Sequence, residues 1–325
     1  MCCLFGLYDY DNILSKRGKE KIIKVLSKEA EARGTDATGI SYITNGKMII
    51  YKRPLPAHKM KFNLKGDPTV IMGHTRLTTQ GTQKVNANNH PFYSKELGFS
   101  LAHNGVLYND ETLRKSEKLP KTSIETDRYI AVQLIEQKNE VNFESVKYMS
   151  EKVAGSFCFT VLDKNNDLYI VKGDNPMCLV DCGGFYLYAS TDKILFSALE
   201  KLKIKHIPEI KMESYSIFKI SRTGSIEKTD FEPSEDYIFG KYSYGNFSRN
   251  YYSNLKPTRK RHNNSDFADK EYYEDIIDYA EFIGFDKEFV DGSLAEGWTL
   301  DDIAEMLYEY ESYYDYSIYD LSTEI

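Results

Sequence analysis

Met1-Cys2-Cys3-Leu4-Phe5-Gly6-Leu7-Tyr8 begins a chain of 325 residues. Residues 3–8 are apolar without a break and give way to Asp9, Tyr10, Asp11 and Asn12, so they read as a buried strand. Cys2 stands directly ahead of it. Met1 is expected to be removed because the next residue is small, which leaves Cys2 as the mature N-terminus. A terminal α-amino group titrates at about 7.7–8.0, the range of a general base at neutral pH. A thiol on the same residue then has its base beside it, so one residue supplies nucleophile and activator together. Taken alone, the Cys2-Cys3 pair reads more simply as two small hydrophobes heading a buried strand. The rest of the chain changes that balance.

Working outward, residues 17–32 place Ile22, Ile23, Val25, Leu26 and Ala30 among lysines and glutamates at a helical period, with Gly34 as the expected C-terminal punctuation. Strands are expected over 38–44 and 47–52, joined at Asn45-Gly46, a strong hairpin signal. Further strands are expected over 69–74, 99–102, 156–163, 168–172 and 185–189, and helices over 127–137 and 142–152. Strands and helices come in blocks, which points to a layered α+β fold rather than a doubly wound sheet.

Composition sets outer limits. The chain is 41% hydrophobic and 28% charged, enough apolar residues for a sizeable core. No apolar run approaches the ~20 residues of a membrane helix, and the first residues lack the basic region of a secretory signal. Five cysteines in a chain this long do not make a disulfide framework, so a reducing, cytoplasmic setting is expected. The net charge of −7 hides an asymmetry: residues 266–325 hold 19 acidic and 2 basic residues, leaving 30 acidic against 40 basic elsewhere. That split suggests an appended segment with its own role and argues against nucleic-acid binding by it. Residues 236–264 are rich in Tyr, Ser, Asn and basic residues, with a knot over 256–261 that reads as a solvated linker. Beyond them, 270–283 and 300–310 have the pattern of acidic amphipathic helices, with Thr299 and Asp302 near a capping box. The expected organisation is a domain over 2–232, a linker over 233–265 and an acidic, tyrosine-rich helical tail over 266–325.

Polar segments recur at strand ends in a definite order. They are Arg33-Gly34-Thr35-Asp36-Ala37-Thr38-Gly39, then Gly73-His74-Thr75-Arg76-Leu77-Thr78-Thr79, then Asn88-Asn89-His90-Pro91-Phe92, then His103-Asn104-Gly105-Val106-Leu107-Tyr108-Asn109, then Glu125-Thr126-Asp127. Any one could be an ordinary turn or cap. Together with Cys2 they resemble the class II glutamine amidotransferases, the glutaminase domain shared by glucosamine-6-phosphate synthase, amidophosphoribosyltransferase and asparagine synthetase. The family pattern runs Cys-Gly-Ile-Phe-Gly, Arg-Gly-x-Asp-Ser-x-Gly, Gly-His-Thr-Arg-x-x-Thr, His-Asn-Gly-x-Ile-x-Asn and Thr/Ser-Asp. Gly155-Ser156-Phe157 and Tyr188-Ala189-Ser190 resemble its later landmarks. The likeness covers roughly residues 2–230, and the wording around Gly73 is nearest the glucosamine-6-phosphate synthase branch. Cys3 stands where the family usually has Gly, Ala37 where Ser is common, and Leu77 where an aromatic is common.

The resemblance implies a four-layer αββα sandwich of the N-terminal nucleophile hydrolase type. It implies that Cys2 attacks the side-chain amide of L-glutamine, forming a thioester that is hydrolysed to glutamate with release of ammonia. Asn104 and the Gly105 N–H would form the oxyanion hole, and Arg76 would hold the α-carboxylate. Asp127 would take the α-ammonium, Thr79 would line the pocket, Arg33 would organise the N-terminal segment, and His74 and His103 would flank the site. No metal or organic cofactor is implied, and the sequence contains neither a paired Cys/His zinc spacing nor a phosphate loop. The ~95 residues after position 230 are too few for a synthase domain. A free-standing glutaminase is therefore expected, passing ammonia to a separate acceptor protein. The alternatives are an autonomous amidohydrolase acting on another glutamyl-like amide and a non-catalytic binding protein that keeps the fold.

Overall fold

The computed structural model describes residues 2–78, 82–122, 124, 126, 129–206, 209–234, 273, 276, 277, 280, 281, 285–298, 300, 303, 306 and 307. The chain divides into two compact units, residues 1–242 and 243–325.

Twelve strands of the first unit build two antiparallel sheets. One contains β1 (Cys3–Tyr8), β2 (Ala37–Thr44), β3 (Lys47–Arg53), β4 (Val70–Arg76), β9 (Cys178–Asp181) and β10 (Tyr186–Ala189), in the order β3-β2-β4-β1-β10-β9. The other contains β5 (Phe92–Ser94), β6 (Phe99–Leu107), β7 (Gly155–Leu162), β8 (Leu168–Lys172), β11 (Ser216–Ile220) and β12 (Ile226–Asp230), in the order β12-β11-β8-β7-β6-β5. The helices are α1 (Lys16–Ala30), α2 (Asp110–Ser116), α3 (Tyr129–Glu136), α4 (Phe143–Lys152) and α5 (Asp192–Leu202).

The alternation of side chains along β1 shows how the layers stack. Cys3, Phe5 and Leu7 lie in one apolar cluster with Ile22, Ile23 and Leu26 of α1 and Leu195, Ala198 and Leu199 of α5. Leu4 and Tyr8 lie in another, with Ala102, Leu162, Leu168 and Ile170 of the second sheet. A third cluster joins the far face of that sheet, through Leu101, Phe159 and Val171, to Ile130 and Leu134 of α3 and Val146 and Met149 of α4. Three cores between four layers give an αββα sandwich, as the resemblance implied. β1 is an unbroken apolar run because both its faces are covered.

Local chemistry explains most boundaries and corrects several. Ser15 caps α1 by accepting from Gly18 N at 3.2 Å, and the helix tightens into a 3-10 turn over Glu31–Arg33. Gly34 follows, but not as a left-handed cap: its φ is 172°. A Cβ there would stand 2.5 Å from the Arg76 carbonyl carbon, so glycine is required by close backbone approach. The expected hairpin turns at Asn45-Gly46, and Asn142 caps α4 in a reciprocal box with Ser145. Six helices and strands of this unit went unread in the sequence, namely α2, α5, β5, β9, β11 and β12.

In the second unit, α6 (Lys287–Ala295) is capped by Asp286, which accepts from Phe289 N at 2.9 Å. Ile276, Ile277, Ala280, Val290, Ile303 and Leu307 form its apolar cluster. Residues 236–264, Thr299 and Asp302 lie outside the described residues.

Candidate active site

Antiparallel register does the first positioning. β1 pairs with β4 so that Cys3 opposes Thr75 and Leu4 opposes His74, while β2 pairs with β4 so that Ala37 opposes Arg76. The starts of β1 and β2 therefore meet the end of β4. Hydrogen bonds close this corner. Arg33 Nε donates to the Cys2 carbonyl at 3.0 Å, and Cys2 Sγ lies 3.6 Å from the Leu77 carbonyl. Asp36 N donates to the Arg76 carbonyl at 2.9 Å, and Thr78 N donates to Asp36 Oδ2 at 2.7 Å. Ser190 Oγ accepts from Leu4 N at 2.8 Å, anchoring β1 from its other side.

Arg76 was expected just beyond its strand; it is the last residue of β4 and is fully buried. Its Nη1 donates to Asn89 Oδ1 at 2.7 Å. A permanently charged guanidinium in this position demands hydrogen-bonding partners.

The second sheet contributes β6, which was expected to end before His103. It runs on to Leu107, with Asn104 opposite Cys158 and Gly105 opposite Phe157 of β7. His74 Nε2 donates across the gap between the sheets to the His103 carbonyl at 3.0 Å. The His103 ring stacks on Phe159, with centroids 4.5 Å apart. The Asn104 carbonyl accepts from Asn175 Nδ2 at 2.9 Å. The Asn104 side-chain amide is completely buried, yet among the described residues neither Nδ2 nor Oδ1 has a hydrogen-bond partner. Gly105 holds φ at +138°, where an added Cβ would run into the Ser156 carbonyl. Only glycine fits there.

The two adjacent thiols differ. Cys2 stands at the corner with Leu77 and Arg33, whereas Cys3 packs into the core under α1 with Sγ 3.3 Å from the Leu4 carbonyl. Burial pushes the Cys3 thiol up from its ordinary value, outweighing the lowering effect of the Arg33 charge. Thr79 and Asp127 lie outside the described residues. Among the described residues, no three His, Cys, Asp or Glu side chains gather as a metal-ligand set, and no helix is long and apolar enough to cross a membrane. Sequence reasoning assigned nothing to Asn89 and did not single out Lys52, although both lie beside Arg76.

Two solved structures share this architecture. The glutamine phosphoribosylpyrophosphate amidotransferase from B. subtilis superposes with a TM-score of 0.57 at 19% identity, over 71% of this chain and 49% of that one. A structure described as the allosteric regulatory enzyme of purine biosynthesis gives 0.58 at 18%, with the same coverage. The sandwich is thus the fold of these two enzymes. Residues 74–197 match the family model described as a glutamine amidotransferase domain. The glutamine–fructose-6-phosphate aminotransferase (isomerizing) of Staphylococcus aureus strain Mu50 is 31% identical over 220 residues, 65% of this chain and 35% of that protein. Its counterpart in Staphylococcus epidermidis strain ATCC 35984 is 30% identical over 246 residues, 72% and 40% respectively. The family match thus covers residues 74–197, and the chain spans about 35–40% of these relatives' length.

Proposed function

We propose that this protein hydrolyses the side-chain amide of L-glutamine and passes the ammonia to a separate acceptor protein. The observation that carries the reading is the buried, unpartnered Asn104 amide beside Gly105, on a strand bonded across the sheet gap to His74, two residues before Arg76. A buried polar group without a partner is costly, on the order of 1–3 kcal/mol. Its retention makes sense where a bound oxyanion supplies the missing acceptor.

In this mechanism Met1 is removed, and the freed α-amine of Cys2 takes the thiol proton as sulfur attacks the amide carbon. Asn104 Nδ2 and the Gly105 N–H stabilise the oxyanion, a contribution of about 3 kcal/mol per donor. The protonated amine gives its proton to the departing nitrogen, and ammonia leaves a thioester on Cys2. Water then attacks, with the same amine as base, and glutamate departs as the thiol is restored. Arg76 forks onto the substrate carboxylate, Asp127 meets its ammonium, Thr79 lines the pocket, and Arg33 keeps the Cys2 carbonyl in place. A charged group for each end of a free amino acid favours glutamine over an amide within a peptide.

The test is intact mass and N-terminal mapping after incubation with 6-diazo-5-oxo-norleucine, alongside glutamate release from L-glutamine. Loss of Met1, one adduct on Cys2 and steady glutamate formation are expected. A Cys2 that is free, unlabelled and inactive toward glutamine would overturn the reading.

A further inference from the structure

The Arg76 guanidinium donates to Asn89, a residue that no catalytic role has claimed. β3 pairs with β2 so that Lys52 opposes Gly39. At that glycine a Cβ would collide with the His90 carbonyl and would stand 2.9 Å from Pro91 Cδ. The absence of a side chain lets the loop carrying Asn89, His90 and Pro91 reach the Lys52 side chain. Lys52 Nζ donates to the carbonyls of Asn89 and of Pro91, the latter at 3.0 Å, gripping the loop on both sides of His90. Asn86 Nδ2 returns a bond to the Lys52 carbonyl at 3.1 Å.

Asn89 is fully buried, and both ends of its amide are engaged. Oδ1 accepts from Arg76 Nη1 at 2.7 Å, while Nδ2 donates to the Gln83 carbonyl at 2.9 Å and to Asn86 Oδ1 at 3.2 Å. Rotating the amide by half a turn would aim its NH₂ at a guanidinium and strand both acceptors, so one orientation is enforced. We propose that Lys52 and Asn89 are positioning residues for substrate recognition: Lys52 pins the loop, and Asn89 within it aims Arg76 at the α-carboxylate of glutamine. The inference rests on the glutaminase reading of the site.

The local electrostatics agree. Burial, with the Arg76 charge as a second cause, pushes the Lys52 ammonium down to about 8. Two cations held this near one another are maintained against their repulsion, and the field they make together favours an incoming carboxylate.

The experiment compares wild type with Lys52→Met, Lys52→Arg and Asn89→Ala. Glutamate release is measured against glutamine concentration, and rates are expressed per site labelled by 6-diazo-5-oxo-norleucine, so that misfolded molecules drop out. Misaiming a binding group by about an ångström costs up to about a hundredfold. Lys52→Met and Asn89→Ala are therefore expected to raise KM by about 10- to 100-fold while kcat per labelled site stays within about threefold. Lys52→Arg, which keeps donors for two carbonyls, is expected to restore KM to near wild type. An active wild type with unchanged KM in both disrupting variants would overturn the inference alone, as would equal losses in Lys52→Met and Lys52→Arg. A wild type that neither releases glutamate nor takes the label would overturn the functional reading and this inference with it.

Discussion

Replacing Asn104 by leucine separates what this residue does for stability from what it does for catalysis. The two side chains are close in shape, so Asn104→Leu removes the amide without opening a large cavity. In the free protein the amide has no bonding partner, so folding gains nothing from its polarity and bears its desolvation, on the order of 1–3 kcal/mol. The variant should therefore melt no lower than wild type. The activated complex is different. There Nδ2 meets developing negative charge in a water-excluded pocket, and loss of such a donor costs about 2.7–4 kcal/mol, or about 10²–10³ in kcat. Because the interaction belongs to the transition state, KM should stay nearly level. Steady-state glutamate release and thermal or urea melts on the same preparations read both quantities. A kcat within threefold of wild type would refute the oxyanion role. A loss of more than about 2 kcal/mol of stability would show that the amide is already satisfied in the folded protein.

Three further outcomes follow from particular contacts. Cys3→Ala should keep both activity and labelling by 6-diazo-5-oxo-norleucine, because its thiol is buried, raised in pKa and turned to the core; mass spectrometry finding the label lost would contradict this. Gly105→Ala places a Cβ against the Ser156 carbonyl at φ +138° and should lower stability by about 3 kcal/mol or more, measurable by urea unfolding; an unperturbed midpoint would refute the strain argument. Lys52 carries a folded pKa of about 8 against 10.5 for the free side chain, so between those values the unfolded chain binds more protons and stability must rise with pH. Wild type should gain about 2–3 kcal/mol over Lys52→Met across that window, with no such slope below it, and urea melts from pH 7 to 10 showing a flat or falling difference would refute the assignment.

How much of this was legible in the sequence depends on where each constraint resides. β8 was read with its observed bounds, and β2, β3, β7, α1 and α4 to within a residue or two, because composition, periodicity and the Asn45-Gly46 turn are local signals. β6 was cut short because His103, Asn104 and Gly105 look like the polar end of a strand. Only the pairing with β7 shows that the sheet carries these residues through its buried middle. Gly34 was read as a helix stop when its cause lies 42 residues away, at Arg76. β9 escaped because four residues, Cys178–Asp181, have too little pattern to register as a strand. The site motifs stand in order along the sequence, yet the Lys52–Asn89–Arg76 connection leaves no mark in it. It exists only once the β2–β3 register has set a lysine across from a glycine and a loop has folded over both.

β1 has a further consequence, one of timing. In the first sheet it lies between β4 and β10, whose residues follow it in the chain by about 70 and about 180 positions. On the ribosome β1 emerges ahead of both partners, and one of its edges has none until residues 186–189 have emerged, close to the last strands of the sandwich. Pairings this distant in sequence form slowly, and an apolar strand waiting for them is open to wrong associations. Completion of the corner that holds Cys2 is therefore tied to near-completion of the whole domain, so the nascent chain carries its thiol long before it has a pocket around it.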